Sequence, residues 1–185
     1  FWMAEHHFAG DGWYNSSPNP VLTGIKLARL SDKLRFGQCG VVLPDWHPLR
    51  VAEDIALMDQ FTKGRVDFGI ARGIDTRASI QFNRNADRRN QKVNYALFAE
   101  TLDVIKGAWT QEQFKHSGQF YTFPETGWKE PNKWLRSSGY HNQDGELIAL
   151  GVYPKPFQKP HPPIWQMADS LGSHVFAGSK GIGVF

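Results

Sequence analysis

Trp2-Met3-Ala4-Glu5-His6-His7-Phe8 is the stretch on which the fold of this chain turns. An apolar start that ends abruptly in Glu-His-His is the pattern of a buried strand delivering polar groups at its C-terminal end. In parallel α/β folds, that end of the strands faces the loops where ligands bind. Histidine is also the side chain best suited to moving protons near neutral pH. A loop rich in Gly, Asn, Ser and Pro follows, from Gly10 to Pro20.

Working outward from that strand end, strands and helices alternate. Pro20 to Leu30 carries Val21, Leu22, Ile25 and Ala28 at helical spacing, and Leu34 to Leu43 reads as a buried strand rich in Val, Phe and Gly. Pro48 suits a first helical position, where its missing N–H costs nothing. The helix it opens places Val51, Ala52, Ile55 and Ala56 on one face, and Lys63-Gly64 stops it. Arg65 to Ala71 is the next strand, and a long helix is predicted from about Asp87 to Trp109. Gly118 to Phe123 alternates like a short hairpin strand. Residues 124 to 150, polar and bearing Gly, Asn and Pro, read as an excursion outside the core. Pro154 to Pro163 holds five prolines and reads as an extended connector. Ile164 to Ala168 is then a strand, Ser170 to Ser179 a helix, and Ile182 to Phe185 the start of another strand. Such alternation implies a parallel sheet with right-handed crossovers.

Composition narrows the classes. The chain has 185 residues, 41% hydrophobic and 14% aromatic, enough for one sizeable core. Its 21 basic and 18 acidic residues nearly balance, the basic ones are scattered, and no nucleic-acid-binding motif is present, so no nucleic-acid partner is expected. No apolar run approaches the roughly 18 residues of a membrane span, and no signal-peptide pattern is seen. The single cysteine, Cys39, excludes an intramolecular disulfide framework and fits a reducing cytoplasm. Both ends read as cut through structure: the chain opens at Phe1-Trp2 inside a strand, without an initiator methionine, and stops at Gly181-Ile-Gly-Val-Phe185 as another strand begins.

Four blocks in order resemble the bacterial luciferase-like flavin monooxygenases. The first is Trp2-x-Ala4-Glu5-His6-His7-Phe8. The second is Leu34-Arg-Phe-Gly37 through Val41-Val-Leu-Pro44, continuing in His47-Pro48-Leu49-Arg50-Val-Ala-Glu53. Asp59-x-x-x-x-Gly64-Arg65-x-x-x-Gly69-x-x-Arg72-Gly73 is the third. Pro160-His-Pro-Pro-Ile-Trp165 with Ala168-Asp-Ser170 is the fourth. The resemblance implies a (β/α)8 barrel of luciferase-like type, present over residues 1–185 only from about its second to its sixth strand, with a family-variable insertion at about 124–150. A complete barrel needs roughly 250 residues or more.

The same resemblance implies a flavin-dependent monooxygenase that uses reduced FMN and O2 on a small organic substrate. The FMN would be supplied by a separate flavin reductase, and the full-length protein would form a homo- or hetero-dimer. Relatives that transfer hydride with coenzyme F420, and a non-catalytic flavin carrier or partner subunit, are the alternatives. His6 matches the histidine usually given the catalytic role; a buried hydrogen-bond network of Glu5, His6 and His7 is the competing reading. His7 is expected to be structural, with Glu5 orienting a histidine. Gln38, Cys39 and Gly40 would lie beneath the flavin ring, with the Cys39–Gly40 peptide cis. Arg72, at a strand's C-terminal end, would fork onto the phosphate. Asp169, Ser170 and Ser173, at a helix start, would complete the phosphate site through backbone N–H groups and hydroxyls, with Asp169 as the natural N-cap. Ala71 departs from the family pattern and changes the pocket's size.

Other residues read as structural: an Asp59–Arg65 ion pair, and His47 and the seven tryptophans as packing groups, with a wall of a substrate channel as the alternative for Trp46. A metallohydrolase using Glu5, His6, His7 and His47 is disfavoured, because adjacent histidines on a strand point to opposite faces.

Overall fold

The computed structural model describes residues 1–8 and 17–185. Most of the Gly10–Pro20 loop, and Trp13 with it, lies outside the described residues. The elements run β1 (Trp2–Met3), α1 (Pro20–Ala28), β2 (Phe36–Gln38), β3 (Val41–Val42), α2 (Pro48–Thr62), β4 (Val66–Ala71), α3 (Thr76–Phe82), α4 (Gln91–Thr110), β5 (His116–Ser117), β6 (Thr122–Phe123), β7 (Ile164–Gln166), α5 (Leu171–Lys180) and β8 (Gly183–Val184).

The main sheet is parallel throughout and ordered β1-β2-β4-β7-β8, with β3 on β4 beyond β2. Each strand thus lies beside its predecessor, as successive crossovers of one hand require. β5 and β6 form a separate antiparallel hairpin.

Register sorts the two faces. Trp2, Gly37 and Asp67 share one face, as do Gly69, Trp165 and Gly183. The opposite face presents Met3 with Gln38, Phe36 with Val66, and Phe68 with Ile164 towards the helices, where Val51, Ile55, Phe98, Leu102 and Ile105 complete the buried core. On the first face a Cβ at Gly37 would overlap the Trp2 ring, and one at Gly183 would overlap that of Trp165. The missing side chains let those rings lie flat on the strands.

The Trp2 and Phe185 rings, at the two edges of the sheet, stand 4.3 Å apart. Four steps of about 4.8 Å would separate those edges in a flat sheet, so the sheet is strongly curled. Among the described residues β1 and β8 are not hydrogen-bonded to each other, and the sheet does not close.

Helix ends follow local chemistry. Pro48 occupies the first turn of α2, and Lys63 ends it in the left-handed region (φ 53°), followed by Gly64 at φ 82°. The predicted long strand 34–43 is broken into β2 and β3, and the Cys39–Gly40 peptide between them is cis. α3 was not foreseen: it is short, and Asp75 caps it by accepting from the N–H groups of Arg77 and Ala78. α4 begins four residues later than expected, because Asn90 caps it by accepting from the Val93 N–H, and 84–86 form a separate 3-10 turn.

Asp59 and Arg65 do not pair with each other. Buried Asp59 accepts from the Gln158 backbone N–H and side-chain amide, both at 2.8 Å, and Arg65 donates to the carbonyls of Ser31, Leu34 and Thr62. Nor are all tryptophans packed: Trp109 is buried, whereas Trp134, within 124–150, is 95% exposed. That segment is nonetheless tied to the body by mutual backbone hydrogen bonds between Leu150 and Phe114, and Ala149 is fully buried.

Candidate active site

The C-terminal ends of the parallel strands surround a cavity of about 320 Å3. The residues after β1 bring Glu5, His6 and His7, and the break between β2 and β3 brings Cys39 and Gly40. The end of β4 supplies Ala71, Arg72 and Gly73; the segment after β7 supplies Met167, Ala168 and Asp169; and α5 adds Ser173. An adjoining cavity of about 400 Å3 is lined by Gln91, Lys92, Tyr95, Ser170 and Gly172, and it shares Arg72 and Ser173 with the first. Of the expected site residues, His6, Cys39, Gly40, Arg72, Asp169 and Ser173 therefore meet in one cavity, with Ser170 next door.

Gln38 does not join them. Its period-two position turns the side chain to the helix face, where it is fully buried and its amide lies 3.5 Å from Met58 Sδ of α2. Only its backbone is near the pocket floor, its carbonyl oxygen lying where a Cβ on Gly69 would go.

Glu5 is the hub of the first wall. Its buried carboxylate accepts from Trp46 Nε1 at 2.8 Å and from the Val42 N–H at 3.0 Å, and lies 2.8 Å from His7 Nε2. The histidine that Glu5 orients is therefore His7, as expected of a structural pair, and that hydrogen bond holds the His7 pKa above its ordinary value despite burial. The Trp46 indole helps to fix Glu5. His6 is half-buried on the cavity wall, and its backbone N–H donates to the Ser17 carbonyl at 3.0 Å.

The floor is close backbone. A Cβ on Gly40 would sit 2.7 Å from the Ile70 carbonyl carbon and 2.9 Å from its nitrogen, so only glycine lets β3 approach β4 here. Cys39 Sγ donates to Met167 Sδ at 3.2 Å, and burial pushes the thiol pKa up, which makes it a wall rather than a nucleophile.

The end of the cavity that holds Arg72 is built from β4 and α5. Arg72 lies over the Tyr95 ring at 5.2 Å and donates to Gln91 Oε1 at 3.2 Å. Burial and the nearby Arg88 lower its pKa against the pull of Tyr95 and Asp169, and an arginine there stays a cation. The cap of α5 is Ser170, not Asp169: Ser170 Oγ accepts from the Ser173 N–H at 3.3 Å and lies 2.9 Å from Ser173 Oγ. Asp169 is exposed at the rim.

Sequence reasoning passed over Asp45, Ser79 and Arg88, which also line the cavity. Ser79 Oγ donates to Asp45 Oδ2 at 3.1 Å, and Arg88 Nη1 donates to the Gly73 carbonyl at 2.6 Å. α3 carries Ser79, and an unforeseen helix could not announce its inward face. Asp45 follows β3 directly, where a strand-end carboxylate was a signal available to reading.

A curled parallel sheet with polar groups gathered at its C-terminal rim is the architecture in which α/β proteins place their ligand and cofactor sites. The sequence model of the luciferase-like monooxygenases matches residues 1–185, and the chain belongs to that family. It is 31% identical over 183 residues to the oxygenase component of a flavin-dependent trigonelline monooxygenase of Acinetobacter baylyi, covering 99% of this chain and 42% of that protein. To an alkanal monooxygenase alpha chain of Photorhabdus laumondii it is 42% identical over 184 residues, covering 98% of this chain and 42% of that one. The chain thus spans about 42% of the length of these relatives. Among solved structures, the FMN complex of the oxygenating constituent of 3,6-diketocamphane monooxygenase from a Pseudomonas putida plasmid superposes with a TM-score of 0.71. Identity is 23%, over 99% of this chain and 45% of that one, which establishes the likeness of fold.

Proposed function

We propose that the full-length protein is a flavin-dependent monooxygenase that uses reduced FMN and O2 to oxidise a small organic substrate, on a (β/α)8 barrel of which this chain holds about the second to the sixth strand. The observation that carries this reading is the convergence of His6, Cys39-Gly40, Arg72 and Ser173 on one cavity. The residues fit FMN. A glycine-floored slot suits a flat ring, because a Cβ at Gly40 would meet the Ile70 backbone. The cation Arg72 and the start of α5, where the two cavities meet, suit a single phosphate.

When bound, reduced FMN would supply the electrons that activate oxygen. This chain's residues would bind and orient it. Arg72 would donate to the phosphate oxygens, and the free N–H groups of the first turn of α5 with the Ser170 and Ser173 hydroxyls would complete the shell. Met167, Val42 and Ala71 would keep water from the ring. His6 would hold or move a proton at its imidazole, and the Glu5–His7–Trp46 network would keep that wall in place. Gln38 would contribute backbone alone.

The relatives' names, an oxygenase component and an alpha chain, support a separate flavin reductase and a dimeric full-length protein. The lone Cys39 supports a cytoplasmic setting, and no described helix is long and apolar enough to cross a membrane. Anaerobic titration of the full-length protein with reduced FMN and with F420, followed by admission of air, tests the reading. Saturable binding of FMN in preference to F420, with oxygen consumed on aeration, is expected. Preference for F420 without reaction towards oxygen would replace it by hydride transfer.

A further inference from the structure

Asp45 lies in the single turn Leu43–Asp45 directly after β3 and lines the same cavity as His6 and Arg72. One of its carboxyl oxygens, Oδ2, accepts from Ser79 Oγ at 3.1 Å. The other, Oδ1, is buried and has no hydrogen-bond partner among the described residues. An ionised carboxylate has about four lone-pair sites to satisfy and is costly to bury without donors.

Three donors on this wall serve the neighbouring carboxylate instead. Glu5 holds the Val42 N–H, the Trp46 indole N–H and His7 Nε2. Two carboxyl groups thus share one wall, one with three partners and the other with a single hydroxyl. Environments that separate two carboxyls in this way make one the anion and the other the acid.

We infer that Asp45 is the neutral carboxyl of this site, a hydrogen-bond and proton donor presented to an acceptor atom of whatever ligand fills the cavity. Glu5, with its three partners, is the carboxylate that holds the wall. Charges facing Asp45 agree. Glu5 after β1 and Asp75 at the start of α3 disfavour its ionisation, while His7 and the Ser79 hydroxyl favour it, and Arg77 is drawn off in an ion pair with Asp75 at 3.3 Å. Burial dominates, and the Asp45 pKa is pushed up to about 7. The donor role rests on a ligand entering this cavity, as in the flavin reading, but the protonation of Asp45 does not.

The test has two readouts on the full-length protein. Infrared difference spectra between about pH 5 and pH 9 should show a protonated-carboxyl C=O band that titrates near neutrality. That band should be lost in Asp45→Asn and should titrate higher in Ser79→Ala. FMN affinity, measured by fluorescence quenching, should fall up to about tenfold per pH unit above the transition in the wild type. It should stay flat in Asp45→Asn, whose amide still donates, and be low at all pH in Asp45→Ala. Absence of the band, or an unchanged band in Asp45→Asn, would overturn the assignment. An unchanged pH slope in Asp45→Asn would overturn the donor role. Failure of FMN to bind at any pH would remove the flavin reading and with it the donor role towards FMN, leaving the band to decide the protonation state.

Discussion

At the scale of single residues, Glu5 carries more of this site's structure than either histidine beside it. Three partners converge on one buried carboxylate: the Val42 N–H, the Trp46 indole and His7. Glu5→Ala would leave those groups buried and unpaired. A loss of about 2–4 kcal/mol in unfolding free energy is expected by denaturant titration. A loss below about 0.5 kcal/mol would mean that water replaces the carboxylate freely. The assignments most exposed to error at this scale were those that depend on which way a side chain points. Gln38 sits in the motif but on the wrong parity of the strand, so its amide packs on Met58. Asp169 resembles a cap in sequence, yet the side chain that reaches the Ser173 N–H belongs to Ser170. Neither distinction is contained in residue type, because both follow from one-residue differences in backbone phase.

At the scale of elements, the alternation of apolar runs made most of the fold readable. The strand at 66–71 and the Pro48 helix lie where periodicity places them, since each has a full apolar face and a clear stop at Lys63-Gly64. α3 was missed because seven residues give too few turns for a periodic signal, and its main local mark is the Asp75 cap. The strand 34–43 was read whole, whereas the cis Cys39–Gly40 peptide divides it into β2 and β3. The α5 start depends on its cap in a testable way. Ser170→Ala removes the acceptor for the Ser173 N–H, with an expected loss of about 1 kcal/mol in stability. It should also weaken FMN binding, because the first turn of α5 would no longer be held. Unchanged affinity would separate the cap from the proposed phosphate site.

At the scale of the whole molecule, the sheet's curl brings Trp2 of the first strand against Phe185 beyond the last and gathers the strand ends around one cavity. The chain matches the family along its entire length while spanning about 42% of the length of its relatives, and its parallel strands gather this wall around one cavity. Global stability should carry the mark of the buried acid. The Asp45 pKa rises from 3.8 to about 7 on folding, so between those values the folded state binds more protons than the unfolded one. Stability from this group is therefore fully present below about pH 4 and lost as pH rises through about 7. His7, also raised on folding from 6.5, loses stability in the same direction as pH climbs past that value. Asp45→Asn should accordingly flatten the decline between pH 4 and 7 in denaturant midpoints, and an unaltered decline would assign it to other groups.

The most direct measurement on the proposed flavin site is an FMN titration of the full-length protein and of its Arg72→Ala variant, with circular dichroism to show that both are folded. If the phosphate rests on Arg72 at the start of α5, the wild type binds FMN saturably and the variant binds about tenfold to a hundredfold more weakly, the loss of a charge-assisted hydrogen bond. Equal affinity in a folded variant would contradict that placement of the phosphate and, with it, the orientation of the flavin in the cavity.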